Sequence, residues 1–437
     1  MTRLLALQLL PYGVSSNVSA AYICGVATRY PLFSSHMNPA SQTCPIPRGA
    51  ASSVCRVSTR LFRVLSWVCW LLVGIGAGSS CYGQRVSRPQ SNSKKVASTV
   101  PQHVLTEALR QANVPGMQLV YTHGPTVTSY NVGVRKAGTS QLVTATSTFQ
   151  AASLGKVVVA YITLRLRDRG LLTLDTPLLR YCPYPRLQQD PRAQAITARM
   201  ALAHSTGLPN WTESPLSPNW SASPLALRYT PDSCWNYSGE GYVWLQKVLE
   251  HLTGKSLETL AQEEVFQPLH MAHSSFVWHA AFSTTACTGH DEKGQPTTIQ
   301  QFSQPYGAYS LLTTATDYAI FLQALTTGRG LQPDSYQVIR TPSNSASRCR
   351  STSLSPADAA VAWACGVGLV ATSHGPALWH WGNNGDFQGF FMAFPDTKES
   401  LLLLTNSANG LRLPERLLPL FFGPGQYWAM QWLAEEK

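Results

Sequence analysis

Strand-forming residues in this 437-residue chain occur in two blocks separated by a long helical stretch. The first block, Gly116 to Val134, is predicted to be a strand pair that turns at His123-Gly124-Pro125. The second block lies near the C-terminus and contains four strand-like runs: Trp363–Thr372, Ala377–Trp381, Gln388–Phe394 and Ser400–Thr405. Strands and helices segregated along a chain favour α+β folds. We therefore expect an antiparallel sheet flanked by helices, with the middle of the chain inserted as a helical subdomain.

Helices are predicted where apolar residues recur at helical spacing between residues that start and stop helices. The predicted segments are Pro101–Ala112, Ser153–Gly170, Gly241–Leu252, Leu311–Leu325 and Tyr427–Ala434.

The formal net charge of +11 comes from one part of the chain. Residues 1–106 contain ten Lys and Arg and no Asp or Glu, which leaves 23 basic and 22 acidic residues elsewhere. A nearly neutral body does not indicate a nucleic-acid-binding face, so no nucleic acid partner is expected. A P-loop and a dinucleotide fingerprint are both missing from the sequence, so no cofactor is expected. His270, His273 and His279 have no carboxylate at ligand spacing, and we expect no metal.

An apolar run within the basic region is typical of an export signal. Arg60 and Arg63 precede the 14 residues Val64–Ala77, and small and polar residues follow. A membrane-spanning helix needs about 20 residues. Residues 57–84 are therefore predicted to be a signal peptide, which implies a periplasmic or extracellular protein.

Three further boundaries follow from that prediction. Translation is expected to begin near Val57, which leaves residues 1–56 as a doubtful extension. Residues 85–101 are predicted to form a linker, and residues 102–437 are predicted to form the folded domain. Lipidation of Cys81, which would tether the protein to a membrane as a lipoprotein, is an alternative to cleavage.

The cysteine spacing indicates neither a zinc site nor a disulfide framework. Five of the ten cysteines lie at or before Cys81, and the remaining five are odd in number, widely spaced and without a Cys-x-x-Cys pair. Buried free thiols are expected for Cys182, Cys234, Cys287, Cys349 and Cys365.

The segment Ser153-Leu154-Gly155-Lys156 matches the pattern Ser-x-x-Lys at the start of a predicted helix. Residues three apart on a helix share one face, so these two side chains should be neighbours. A serine hydroxyl needs an adjacent base to act as a nucleophile, and a desolvated lysine with a lowered pKa can be that base. The helix N-terminus adds backbone N–H groups where an oxyanion would form. The alternative is an ordinary helix start with a solvated lysine.

Two further elements, Tyr237-Ser238 and His380-Trp381-Gly382, follow the Ser-x-x-Lys segment along the chain. With them the chain resembles the beta-lactamase-related serine hydrolases, the family near class C beta-lactamases and D-Ala-D-Ala carboxypeptidases. The resemblance runs from about Val104 to Gly410 and implies a beta-lactamase/transpeptidase-like fold. The matching stretches are Phe149–Lys156, His204–Pro209, Tyr237–Tyr242, Phe266–Leu269, Ser310–Tyr318 and Trp379–Gly382.

The resemblance implies a role for each matching residue. Ser153 would be the nucleophile, Lys156 its base, and Tyr237 the group that relays a proton to the leaving group. His380 stands where relatives carry Lys or His on the strand lining the site. Two alternatives remain, namely that Tyr237 is core packing and that His380 is an interior histidine with satisfied hydrogen bonds.

The resemblance also implies a set of substrate-binding groups. The oxyanion would be bound by the backbone N–H groups of Ser153 and Asn383. Gly382 would allow the substrate backbone to lie close to the strand.

Gly239 departs from the family pattern Tyr-x-Asn. The missing amide normally contacts the lysine and the acyl side chain of the substrate, and His380 removes a permanent positive charge suited to a substrate carboxylate. Both changes favour a small ester or amide as substrate. The alternatives are a D-aminoacyl peptidase or weak beta-lactamase acting on peptidoglycan-like or lactam substrates, and a sensor that is acylated without turnover.

Overall fold

A seven-stranded antiparallel sheet organises the chain in a computed structural model that describes residues 99–436. The strand order is β2-β1-β9-β8-β7-β6-β5, so the first strand pair joins the C-terminal strands through β1 and β9. A separate two-stranded sheet pairs β3 with β4. The strands are β1 (Gly116–His123), β2 (Thr126–Gly133), β3 (Phe149–Gln150), β4 (Leu312–Thr313), β5 (Val361–Trp363), β6 (Gly368–Thr372), β7 (Gly375–Asn383), β8 (Gln388–Phe394) and β9 (Glu399–Thr405).

The helices lie between the two strand blocks and at both ends of the described chain. They are α1 (Gln102–Ala112), α2 (Gly155–Asp168), α3 (Ala198–Leu202), α4 (Gly239–Thr253), α5 (Leu257–Ala261), α6 (Ala315–Thr327), α7 (Pro333–Arg340), α8 (Pro356–Ala360), α9 (Pro414–Phe422) and α10 (Trp428–Glu436). Within the described residues, every helix is too short or too polar to cross a membrane.

Both faces of the sheet are buried, which explains the continuous apolar run of β9. Successive side chains of a strand point to opposite faces. Leu401 and Leu403 pack with the terminal helices α1, α9 and α10, whereas Leu402 and Leu404 pack with the helical middle, which includes α2, α4 and α6. The predicted α+β architecture, with an antiparallel sheet and an inserted helical region, is confirmed.

Most predicted elements are confirmed, with three differences. The run Trp363–Thr372 is divided into β5 and β6 by a bend. The helix predicted from Leu311 begins at Ala315, because Leu312 and Thr313 pair with β3 and the Thr314 side chain caps the helix. Helices α3, α5, α7, α8 and α9 were not predicted; in α9, Pro419 interrupts the helical pattern.

The leader predictions concern residues that the structure does not describe. The doubtful extension, the signal peptide, Cys81 and most of the linker fall within residues 1–98. Those boundaries stay predictions.

The expectation of five free thiols was wrong for one pair of cysteines. Cys234 and Cys349 form a disulfide with their Cα atoms 5.0 Å apart, although 115 residues separate them in sequence. A parallel bridge between Trp235 and Arg348 brings the two segments together. The other three, Cys182, Cys287 and Cys365, are buried free thiols, as expected.

Candidate active site

Ser153 lies in a single 3-10 turn, Ala152–Leu154, that leads directly into α2. Ala152 has a φ angle of 50°, a left-handed conformation that is uncommon for a residue with a side chain. This turn presents Ser153 to a cavity of about 620 Å³. Strained backbone beside a cavity is common at functional sites.

The Lys156 side chain is directed at Ser153. Its Nζ lies 3.1 Å from the Ser153 Oγ and donates a 2.7 Å hydrogen bond to the Ala308 carbonyl. The side chain is buried, with 1% of its surface exposed, and no carboxylate among the described residues pairs with it. Burial without a counter-ion lowers the pKa of Lys156 from 10.5 to about 7. A large neutral fraction near neutral pH allows this amine to accept a proton.

Tyr237 completes a group of three side chains around the cavity. The Lys156 Nζ lies 4.9 Å from the centre of the Tyr237 ring. Burial raises the pKa of Tyr237, and the neighbouring Ser153 hydroxyl opposes that rise. The Tyr237 hydroxyl is buried and has no hydrogen-bond partner among residues 99–436. An unpaired hydroxyl beside the nucleophile is available to a substrate atom.

His204 supports Tyr237 from behind. Its Nδ1 accepts a 3.1 Å hydrogen bond from the backbone N–H of Ser238, and its ring lies 4.3 Å from the Tyr237 ring. Ser238 in turn caps α4 by accepting a hydrogen bond from the Gly241 N–H. His204 therefore positions the Tyr237 segment through its backbone.

His380 lies behind the cavity and is not part of its lining. The ring is fully buried, 5.5 Å from the Trp363 ring and 6.4 Å from the Tyr237 ring. Its Nδ1 lies 2.6 Å from the Trp381 carbonyl. Burial, assisted by the charge of Lys156, lowers the pKa of His380 to about 3, so the ring is neutral at physiological pH. The catalytic role of His380 stays a prediction.

Gly382 and Asn383 form the end of β7 beside the nucleophile. A Cβ atom at position 382 would lie 2.3 Å from the Ala151 carbonyl oxygen. Glycine is therefore required for the strand to approach the turn that carries Ser153. The sequence had instead suggested a contact with the substrate backbone as the reason for this glycine. Asn383 is exposed on the cavity wall. Its predicted place in an oxyanion hole with Ser153 stays a prediction.

Trp211 fills the space beside Gly239, and the sequence did not single it out. A Cβ atom at position 239 would lie 2.2 Å from the Trp211 ring, so no larger residue fits there with Trp211 in place. Trp211 also lines the cavity that contains Ser153. In the sequence, the absence of the motif Asn at position 239 signals a change at this position. The loop that brings Trp211 here has no local pattern, so Trp211 itself could not be predicted.

Glu240 is a second group whose role only the structure defines. It is fully buried at the start of α4 and forms an ion pair of 2.6 Å with Arg186. The same carboxylate accepts hydrogen bonds from Thr212 and from the Trp220 indole N–H. Glu240 therefore fixes the loop that follows Trp211.

The fold and the grouping of Ser153, Lys156 and Tyr237 agree with the serine hydrolase superfamily. The family described as Beta-lactamase matches residues 102–419, which is most of the chain. The chain belongs to this family, whose members include beta-lactamases, penicillin-binding proteins and esterases. The resemblance inferred from the sequence is thereby confirmed.

Three relatives illustrate the range of that family. Penicillin-binding protein 4 of Amycolatopsis lactamdurans is 26% identical over 69% of this chain and 83% of the relative. The putative penicillin-binding protein PbpX of Bacillus subtilis is 24% identical over 55% of this chain and 62% of the relative. Esterase EstB of Burkholderia gladioli is 29% identical over 44% of this chain and 55% of the relative.

The fold matches solved structures as well. A mutant of a class C beta-lactamase superposes with a TM-score of 0.62 over 72% of this chain and 95% of that chain, at 16% identity. At this identity the likeness shows the fold, which is beta-lactamase/transpeptidase-like.

Proposed function

We propose that the protein is an exported serine hydrolase that acts on a small ester or amide through an acyl-enzyme on Ser153. The observation that carries the proposal is the buried Lys156 amine, 3.1 Å from the Ser153 hydroxyl and with a pKa lowered to about 7. A base is most effective when its pKa is near the working pH. A structural lysine at a helix start would instead extend into solvent.

The first half-reaction transfers the acyl group to the enzyme. The neutral Lys156 amine takes the proton of the Ser153 hydroxyl while Oγ attacks the substrate carbonyl carbon. The carbonyl oxygen becomes an oxyanion, which the backbone N–H groups of Ser153 and Asn383 stabilise. When the intermediate collapses, the bond to the leaving group breaks. The leaving group receives the proton held by Lys156 through the Tyr237 hydroxyl, so Lys156 is neutral again.

The second half-reaction releases the acid. A water molecule gives one proton to Lys156 and attacks the carbonyl carbon of the acyl-enzyme. The bond to the Ser153 Oγ then breaks, and Oγ recovers a proton from Lys156. The buried hydroxyl of Tyr237, which has no hydrogen-bond partner in the described part of the chain, supports a relay role in both halves.

The groups around the nucleophile favour an ester or simple amide over a lactam. The motif amide is replaced by Gly239 with Trp211 packed against it, and the neutral His380 carries no charge for a substrate carboxylate. The similarity to an esterase supports this choice. Because the chain is also similar to penicillin-binding proteins, D-aminoacyl peptidase and beta-lactamase activities are alternatives, which the labelling experiment below distinguishes.

The disulfide supports export. Disulfides form and persist in oxidising compartments and are rare in the cytosol. The Cys234–Cys349 bond agrees with a periplasmic or extracellular location, reached through the predicted signal peptide or a lipid anchor at Cys81.

The proposal is tested by labelling and by burst kinetics. The purified protein is treated with a fluorophosphonate probe or a fluorescent penicillin, and the modified residue is mapped by mass spectrometry. We expect the fluorophosphonate on Ser153 and a burst of p-nitrophenol from p-nitrophenyl acetate. Both signals should be lost in Ser153→Ala and kept in Ser214→Ala, a second serine of the same cavity.

The other outcomes are equally informative. Ester hydrolysis by Ser153→Ala at the wild-type rate would refute the acyl-enzyme. Penicillin labelling followed by rapid release would favour the peptidase or beta-lactamase alternative. An acyl adduct on Ser153 that never turns over would identify a sensor instead of an enzyme.

A further inference from the structure

The position of Trp211 is set by two independent attachments to the start of α4. The Asn210 side-chain oxygen accepts a 3.0 Å hydrogen bond from the Gly239 N–H, and the Asn210 carbonyl accepts one of 3.1 Å from the Glu240 N–H. On the other side, the Thr212 N–H and hydroxyl both donate to the Glu240 carboxylate. The residues before and after Trp211 are therefore fixed to the same helix end, which places the indole rigidly against Gly239.

Trp211 belongs to a group of three aromatic residues that form one wall of the cavity containing Ser153. Its ring lies 5.7 Å from the Tyr309 ring at an interplanar angle of 80°, and Tyr309 lies 5.6 Å from Phe302. All three rings line the cavity, and Leu216 extends the apolar surface with 56% of its area exposed. Edge-to-face contacts of this kind give a stable apolar surface. These four side chains therefore give the cavity an apolar wall.

Outside this wall the cavity is lined by charged as well as apolar side chains. Arg350 donates a 3.0 Å hydrogen bond to the Glu436 carboxylate, and both residues line the cavity. Trp381, whose ring lies 5.0 Å from the Tyr237 ring, and Leu433 line it as well. The motif amide that Gly239 replaces normally contacts the acyl side chain of the substrate, and Trp211 fills the space beside Gly239. The acyl group therefore points to the aromatic wall.

We propose that the acyl group of the substrate is uncharged and apolar and lies against Trp211 and Tyr309, so that the preferred substrates are esters of hydrophobic carboxylic acids. The inference rests on the proposed acyl-enzyme function and assigns its substrate class. Trp211 is the specificity-determining residue because it replaces the hydrogen-bonding amide of the motif with a flat apolar surface. An acyl group that carries a charge or a peptide-like amide loses its solvation there without gaining a partner.

The test varies only the acyl group. p-Nitrophenyl phenylacetate, hexanoate and acetate share one leaving group, and kcat/KM is measured for the wild type, Trp211→Ala and Trp211→Phe. We expect the wild type to prefer phenylacetate and hexanoate to acetate by tenfold or more. Trp211→Ala should lower that preference at least fivefold, whereas Trp211→Phe, which keeps an apolar ring, should retain most of it.

Two results would overturn this inference and leave the proposed hydrolase function intact. One is a wild type that prefers acetate, and the other is an acyl preference that stays within twofold in Trp211→Ala. Fluorophosphonate labelling of Ser153 is followed in every variant, since it reports the nucleophile and the folded site independently of the acyl group. Failure of that labelling in the wild type would instead refute the proposed function.

Discussion

Replacing the buried Lys156 by methionine should stabilise the protein, and by an amount that depends on pH. The pKa of Lys156 is about 7 in the folded chain, whereas the unfolded chain has the ordinary lysine value of 10.5. Below pH 7 the amine is charged in both states, and the folded state bears the full cost of a buried charge. Between pH 7 and 10.5 the unfolded chain holds more protons than the folded chain. The free energy of unfolding of the wild type therefore rises with pH by about 1.4 kcal/mol per unit.

Methionine has similar length and no charge, so Lys156→Met removes this dependence. The stability advantage of the variant should be largest below pH 7 and should shrink by about 2.5 kcal/mol between pH 7.5 and 9.5. Urea denaturation of both proteins at pH 6, 7.5 and 9.5 gives the difference directly. Lys247→Met, at an exposed position of α4, is the matched control and should give a nearly constant difference.

A stability difference for Lys156→Met that does not change between pH 7.5 and 9.5 would refute the reasoning, because the lysine would then not be a desolvated amine. The same titration governs activity. Since the base must be neutral, kcat/KM of the wild type for an ester should rise with pH through about 7.

Two further substitutions test how the site is supported. Gly382→Ala places a Cβ 2.3 Å from the Ala151 carbonyl, so we expect the ester burst to fall at least tenfold and stability to fall by about 1–3 kcal/mol; an unchanged burst would contradict the close approach of β7 to the Ser153 turn. Replacing both Cys234 and Cys349 by serine should lower the free energy of unfolding by about 2–5 kcal/mol, and a reductant should destabilise the wild type but not this variant. Equal sensitivity of the two proteins to reductant would contradict the disulfide.

The contacts that could be predicted from the sequence depend on short-range patterns. Ser153 and Lys156 are one helical turn apart, so their proximity follows from helix geometry alone. The pairing of β1 with β2 likewise follows from alternation around a tight turn. Tyr237 was placed by its motif, and the structure brings it to the same cavity.

The parts that were missed depend on contacts between distant segments. The disulfide joins residues 115 positions apart, and no spacing rule could pair them. The Glu240 carboxylate pairs with Arg186, 54 residues earlier in the chain. The position of His380 behind the cavity, among Trp363 and Trp381, also depends on tertiary packing, and its catalytic role stays a prediction.

The sequence by itself determined the fold class, the order of the elements and the Ser153–Lys156 pair, because local periodicity and turn chemistry encode each of them. The tertiary structure alone decided how basic Lys156 is and what its cavity accepts. A pKa depends on how completely a group is removed from water, and a binding wall such as Trp211 against Gly239 depends on which loop covers the site. Both are properties of packing between segments that a linear pattern does not contain.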